Sequence, residues 1–323
     1  MKILGIECTA HTLSIGICEN GKILSNVIDT YSGGSEGLIP RKMADHHSAV
    51  FADVCRKSLA AAGLKIRDIG LIAFSQGPGI GAPLSVGISG AKYLALRFGK
   101  KLIGVNHGYA HAKVSEHFCK MENPLVLYVS GGNSQILLEK NGHYHVLGET
   151  LDIGIGNLFD NVARALRLEH AHGAALSKLA EGGNYIGLPY SVKGMNLVFS
   201  GLQTAAEKAA AKHSRKDVAY SLMETSFAMS CEVTERALFL TKKKKLVVCG
   251  GVAQNKRLQQ MLKTMCDEDG VEFGVAPDEL NRDNGAMIAY AGGLLYEKYG
   301  PMLIENCYPI TNYRIDRMKE VLG

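Results

Sequence analysis

The chain has 323 residues, 46% of them hydrophobic and 21% charged, which excludes a disordered or fibrous polymer; its length predicts two globular lobes. With 36 Lys and Arg against 31 Asp and Glu, its net charge of +5 permits an anionic partner without demanding one. Its 8 cysteines are scattered with no Cys-x-x-Cys pair, no apolar stretch reaches membrane-spanning length, and residues 1–7 carry no signal-peptide core, so a soluble, reduced, cytoplasmic protein is expected.

Residues 2–7, 12–18 and 22–29 read as strands, the last two joined by Asn20-Gly21, a strong short hairpin signal. His46-His47 lies on an amphipathic helix, and a solvent- or partner-facing pair is expected there because adjacent helical residues diverge by about 100°. Strand 69–74 runs into Gln76-Gly-Pro-Gly-Ile-Gly81. Strand 101–105 runs into Asn106-His107-Gly108-Tyr109-Ala110-His111. His107 and His111, spaced i and i+4, share one helix face and present two imidazoles to a single metal ion.

The opening layout then returns. Strands 125–129, 135–140 and 143–149 repeat it, with Asn141-Gly142 at the second hairpin and Glu7, Thr9, Ile15 and Gly21 falling on Tyr128, Ser130, Ile136 and Gly142. Strand 245–249 leads into Gly250-Gly-Val-Ala-Gln-Asn255, and strand 271–275 precedes Pro277-Asp-Glu-Leu-Asn-Arg-Asp283-Asn-Gly285. Three antiparallel strands followed by helices alternating with parallel strands, present twice, predict an α/β, actin-like, acetate-kinase-like (ASKHA) duplication of two lobes around a cleft. Lobe one is expected over 1–121, with a carboxy-terminal helix at 292–323 packed on it, and lobe two over 122–291. Ligands from both halves are expected to meet between them.

The duplication makes Asp283 a third metal-ligand candidate; alone it would read as a helix-capping acid. The Tyr128-Val129-Ser130-Gly131-Gly132-Asn133-Ser134 loop and the 250–255 loop suit phosphate, since glycines let an anion approach backbone amides. Asp160, in a helix opened by Gly154 and Gly156, is a candidate for ribose hydroxyls or a cap. His143-Tyr-His145 and His170-Ala-His172 lack accompanying acids or cysteines and carry no metal expectation. Lys242 to Lys245 reads as a solvated turn.

Together with Gly5-Ile-Glu-Cys-Thr-Ala-His-Thr12, the stretch 37–47 ending His46-His47, and Phe199-Ser-Gly-Leu202, these motifs resemble the universal tRNA threonylcarbamoyltransferases over nearly the whole chain. This TsaD/Gcp family includes the catalytic subunit of the archaeal and eukaryotic KEOPS complex. The resemblance implies one divalent metal, iron or zinc, on His107, His111 and Asp283, with the Tyr128 phenol as an additional ligand. It implies nucleotide contacts from Tyr128, Val129, Ser130, Gly131, Gly132, Asp160, Gly173 and Asn255. The implied substrate is L-threonylcarbamoyl-adenylate, with ATP or AMP able to occupy the site, and the implied acceptor is N6 of the adenosine beside the anticodon in tRNAs reading A-starting codons. Implied partners are tRNA, a small kinase-like ATPase that some archaeal members carry fused at the C-terminus, and a small dimerising subunit; no membrane is implied.

The chain departs from the family pattern at 171–177. There Ser177 stands where an acid commonly contacts the ribose, and His172 replaces a glycine. For the proton lost by the attacking amine, Glu7, Thr9 or water are the open candidates. A metallopeptidase using the His-x-x-x-His pair is a rival reading, weakened because Gly108 occupies the place of the usual glutamate base. A small-molecule kinase of the same architecture is another.

Overall fold

The computed structural model describes residues 1–33 and 38–322; Gly37, the first residue of the 37–47 motif, and Gly323 lie outside the described residues. In chain order the elements are β1 (Lys2–Glu7), β2 (Thr12–Glu19), β3 (Lys22–Thr30), α1 (Pro40–Ala61), β4 (Leu71–Gly77), α2 (Gly81–Phe98), β5 (Lys101–Asn106) and α3 (His107–Phe118). Then follow β6 (Leu125–Val129), β7 (Ser134–Lys140), β8 (His143–Glu149), α4 (Ile155–Ala165), α5 (Gly173–Ala180), the short β9 (Val192–Lys193) and β10 (Asn196–Leu197), α6 (Ser200–Ala209) and α7 (Arg215–Thr241). The chain finishes with β11 (Lys245–Cys249), α8 (Lys256–Glu268), β12 (Glu272–Val275), α9 (Asp278–Asn281), α10 (Gly285–Tyr299) and α11 (Met318–Leu322).

Two compact units result: one of Met1–His117 with Arg282–Gly323, the other of Phe118–Asn281. The first holds a five-stranded sheet of order β3-β2-β1-β4-β5, and the second one of order β12-β11-β6-β7-β8, the same arrangement read from the other edge. In each, the first three strands pair antiparallel and the last two add in parallel. This is the duplicated ASKHA-type α/β fold. Both hairpins turn on left-handed residues, Asn20 (φ 50°) with Gly21 (φ 77°) and Asn141 (φ 54°) with Gly142 (φ 72°), whose twist matches the flanking strands.

In the first unit β1 is buried on both faces. Ile6 and Cys8 face α2, where a Cβ at Gly87 would meet them, while Gly5 and Gly16 face α10. A Cβ on Gly5 would lie 2.2 Å from the Ala289 amide nitrogen, and one on Gly16 would lie 2.3 Å from that of Ala286. Glycine at both positions therefore lets the helix backbone rest directly on the sheet. In the second unit β6, α4 and α7 share an apolar core that includes Phe159 packed edge-on against Phe227, ring centroids 5.6 Å apart.

Three expectations change. The stretch 292–323 is not one helix: α10 already begins at Gly285 and stops at Gly300 (φ 77°) before Pro301, and the remainder is short 3₁₀ turns and α11. Asp283 is not grouped with the second half either, because the chain returns to the first unit at Arg282. His47 is fully buried, not surface-facing: its Nε2 lies 2.9 Å from the Ala10 carbonyl oxygen, and burial lowers its pKa from the ordinary 6.5.

Candidate metal centre

β5 ends at Asn106, whose Oδ1 accepts from the Tyr109 amide at 3.0 Å and whose Nδ2 donates to the Tyr313 carbonyl at 2.8 Å, fixing the start of α3. The helical turn that follows stacks His107 and His111, with ring centroids 4.7 Å apart and planes at 82°. Asp283 lies in the short link between α9 and α10. Asn284, just after it, caps α10 through Oδ1 to the Met287 amide (2.9 Å) and holds the turn by donating from Nδ2 to the Arg282 carbonyl (2.7 Å). Ser14 adds a contact from the sheet, its hydroxyl accepting from the Gly285 amide at 2.9 Å.

Both imidazoles converge on one carboxylate oxygen. His107 Nε2 is 3.4 Å and His111 Nε2 3.3 Å from Asp283 Oδ1, and one ligand atom from each residue lies within 4.8 Å of the others. Charge-assisted hydrogen bonds run shorter, about 2.7–2.9 Å. Ligands held about 2.0–2.1 Å from a tetrahedral ion stand about 3.3–3.4 Å apart, so the spacing fits the edges of a coordination shell. Two nitrogens and one oxygen suit iron or zinc. Among the described residues this is the one such cluster.

The electrostatics agree with that fit. Burial pushes the His111 pKa down, favouring the neutral ligand form. Burial also opposes the charge on Asp283, but the positive charge of His107 and hydrogen bonds from both rings outweigh it and hold the carboxyl well below its ordinary range. The carboxylate thus demands a positive neighbour, met by an imidazolium or by a cation.

Glu7 and Thr9, expected as proton acceptors, lie beside this cluster with Glu7 already engaged. Glu7 is fully buried; its Oε1 accepts from the Thr9 amide (2.7 Å) and hydroxyl, and its Oε2 lies 3.0 Å from His107 Nδ1. Sequence reasoning missed this contact. The available signal was that β1 and β5 run parallel in one sheet and both residues stand at their carboxy-terminal ends. Cys8 is no candidate: burial and the Glu7 charge push its thiol far up, and Sγ donates to the Pro83 carbonyl at 3.1 Å. In the 76–81 loop the Gly79 and Ile80 amides donate to the Thr311 and Thr9 carbonyls.

The nucleotide candidates all lie in the second unit. Tyr128 and Val129 end β6, both buried, with Tyr128 paired to Cys249 on β11 and Gln135 on β7. The adjoining loop closes by the Ser130 amide donating to the Asn133 carbonyl (2.8 Å), leaving Gly131 and Gly132 exposed. The start of α4 seats on this loop through the Gly156 amide to Ser130 O (3.2 Å) and the Asn157 amide to Gly131 O (2.9 Å). A Cβ on Gly154 would lie 2.4 Å from Gly131 O. Gly250 (φ 97°) passes as closely to the Val129 carbonyl, where a Cβ would also stand 2.4 Å away.

Asp160 Oδ1 accepts from the Gly173 amide at 2.9 Å, tying α4 to α5. Asn255 Oδ1 caps α8 by accepting from the Arg257 and Leu258 amides, while its Nδ2 donates to the Ser177 hydroxyl at 3.2 Å. Tyr128, the loop glycines, Asp160, Gly173, Ser177 and Asn255 therefore belong to one unit and one connected set of elements. His172, in turn, caps α5 by accepting from the Ala175 amide at 3.2 Å.

Comparisons with known proteins agree with this arrangement. The TsaD family model, described as tRNA N6-adenosine threonylcarbamoyltransferase, matches residues 22–290. The chain is 47% identical over 322 residues to the tRNA N6-adenosine threonylcarbamoyltransferase of Thermococcus sibiricus, covering 99% of each. It is 44% identical to the probable bifunctional tRNA threonylcarbamoyladenosine biosynthesis protein of Methanocorpusculum labreanum, over 98% of this chain and 60% of that protein. The solved structure of HypF from T. kodakarensis matches with a TM-score of 0.66 at 16% identity, covering 92% of this chain and 48% of that one, a likeness of fold alone. With a family model spanning most of its length and a relative so similar end to end, the chain belongs to the TsaD family of tRNA N6-adenosine threonylcarbamoyltransferases.

Proposed function

We propose that this protein transfers the threonylcarbamoyl group from L-threonylcarbamoyl-adenylate to N6 of the adenosine beside the anticodon in tRNAs reading A-starting codons, releasing AMP. The observation that carries the reading is the His107, His111, Asp283 cluster in a chain of this family. In the reaction N6 forms a bond to the carbamoyl carbon, the bond from that carbon to the phosphate oxygen breaks, and AMP leaves with the electron pair. The proton lost by N6 goes to Glu7, Thr9 or water, and the hydrogen bonds that both Glu7 oxygens already accept favour water. Lewis-acid polarisation of the phosphate or carbamoyl oxygen is what an iron or zinc ion held by the three residues supplies when bound.

In the second unit the 130–132 backbone binds the phosphate, Asp160 and Gly173 the ribose side, and Asn255 the nucleoside, with AMP or ATP able to occupy the same place. Ser177 offers a hydroxyl in place of a carboxylate there. A peptidase would need a free carboxylate beside the histidines. Gly108 supplies none and Glu7 is engaged, so the transferase reading stands over it.

The setting proposed is cytoplasmic, within a KEOPS-type assembly with a small kinase-like ATPase and a small dimerising subunit. A relative named as bifunctional, of whose length this chain spans 60%, supports a second activity working beside this one. No described helix is long and apolar enough to cross a membrane. Transfer of labelled threonylcarbamate to tRNA tests the reading: it is expected in the parent and lost in His111→Ala and Asp283→Ala, and full transfer by both variants would sink it.

A further inference from the structure

Among the described residues, Glu7 is a fully buried carboxylate in contact with the metal cluster that is not itself a ligand candidate. Burying a carboxylate costs several kcal/mol unless its oxygens are hydrogen-bonded, and here both are. Thr9 fills Oε1 through its amide and hydroxyl, and His107 fills Oε2 through Nδ1 at 3.0 Å. A carboxylate can only accept, so Nδ1 must carry the proton in this contact. In the neutral ring that choice leaves Nε2 as a bare lone pair, and Nε2 is the atom that faces Asp283 Oδ1.

We propose that Glu7 is a positioning residue for a divalent cation: it locks His107 in the Nδ1–H tautomer and rotates Nε2 toward Asp283 and His111, while Thr9 clamps the carboxylate from behind. The inference rests on the reading that His107, His111 and Asp283 hold the ion. Carboxylates that orient metal-bound histidines in this way typically account for 10–100-fold in affinity, about the loss expected here. The arrangement needs three segments at once: the end of β1, the turn after it that carries Thr9, and the first turn of α3. β1, which carries Glu7 at its end, is the central strand of its sheet.

Glu7→Gln keeps the shape and an oxygen for Thr9 but turns an NH₂ toward His107, which favours the opposite tautomer. Thr9→Val removes the hydroxyl and leaves the backbone amide in place. Zinc affinity of the metal-stripped full chain, measured by competition with a chromophoric chelator, is expected to fall about 10–100-fold in Glu7→Gln and by less in Thr9→Val. Because Asp283 favours the charged ring when no cation is bound, long-range ¹H–¹⁵N spectra are taken in buffer alkaline enough to discharge it, where the neutral His107 of the metal-free parent is expected to keep its proton on Nδ1 and that of Glu7→Gln on Nε2.

A parent spectrum with the proton on Nε2, or a Glu7→Gln protein that binds zinc like the parent, would overturn the proposal. Should Glu7→Gln fail to fold, the parent spectrum and Thr9→Val still decide it. Failure of the metal reading itself looks different: the parent, His111→Ala and Asp283→Ala would then bind zinc equally poorly, whatever the tautomer of His107.

Discussion

His111 Nε2 and Asp283 Oδ1 stand 3.3 Å apart although 172 residues separate them in the chain. The shorter of the two paths between them runs through the sheet of the first unit. α3 leaves the end of β5, and α10 lies across β1 and β2 with its first turn tied to Ser14. The ligands are thus set by the packing of one helix onto one sheet.

Metal binding should stabilise the folded chain and depend on Asp283. A ligand that binds only the native state adds about 2.7 kcal/mol at a free concentration of a hundred times its Kd. Thermal unfolding is expected to shift upward on adding zinc to the stripped parent and to stay unmoved in Asp283→Ala. An equal shift in both proteins would show that the ion sits elsewhere.

Gly16→Ala should damage the metal centre without touching a ligand. The new Cβ would lie 2.3 Å from the Ala286 amide nitrogen, so α10 must lift away and carry Asp283 with it. Overpacking of this kind costs about 1–3 kcal/mol. Denaturant midpoints should fall accordingly and zinc affinity should weaken with them. Gly63→Ala is the control for glycine replacement away from the helix, since nothing lies within 4 Å of a Cβ there, although its φ of +64° adds its own strain.

Asn255 performs two tasks that one substitution can separate. Asn255→Asp keeps the oxygen that caps α8 but loses the amide donor and adds charge where a phosphate-bearing ligand is proposed to bind. Titration calorimetry with AMP is expected to show at least about tenfold weaker binding, equivalent to about 1.4 kcal/mol, with thermal stability near that of the parent. Unchanged AMP affinity would remove Asn255 from the nucleotide site.

Asp152 should make acid stability pH-dependent. Burial raises its pKa, but hydrogen bonds to the carboxylate from the Phe199, Ser200 and Ile153 amides win and bring it from 3.8 to about 2. A folded pKa below the unfolded value means the contribution is complete above 3.8 and disappears as the pH falls through about 2. The side chain is exposed, so screening reduces the full linkage value to about 1 kcal/mol. Urea midpoints of the parent and Asp152→Asn are expected to differ at neutral pH and to converge on acidification across that window.

The strands were legible because their chemistry is local. β1, β6, β8 and β11 have the bounds that apolar runs and Asn-Gly turns predict, and the repeated layout discloses two sheets of one order. The histidine pair was legible from helical spacing, and Asp283 from its place after a final strand. What the sequence withheld depends on chain crossings and close approach. Nothing in the periodicity shows that the polypeptide rejoins its first unit at Arg282, that His47 is sealed against Ala10, or that Glu7 reaches His107. The end of α10 was announced by Gly300-Pro301, a local signal that a long-helix expectation passed over.

Because the first unit is interrupted by the whole of Phe118–Asn281, a ribosome delivers its pieces out of order. The second unit emerges as one continuous stretch and can close as soon as it is made, whereas the side of the first sheet reserved for α10 must wait, apolar and uncovered, for the last part of the message. His107 and His111 stay without the Asp283 carboxylate throughout that interval, because it lies in the last segment to be made.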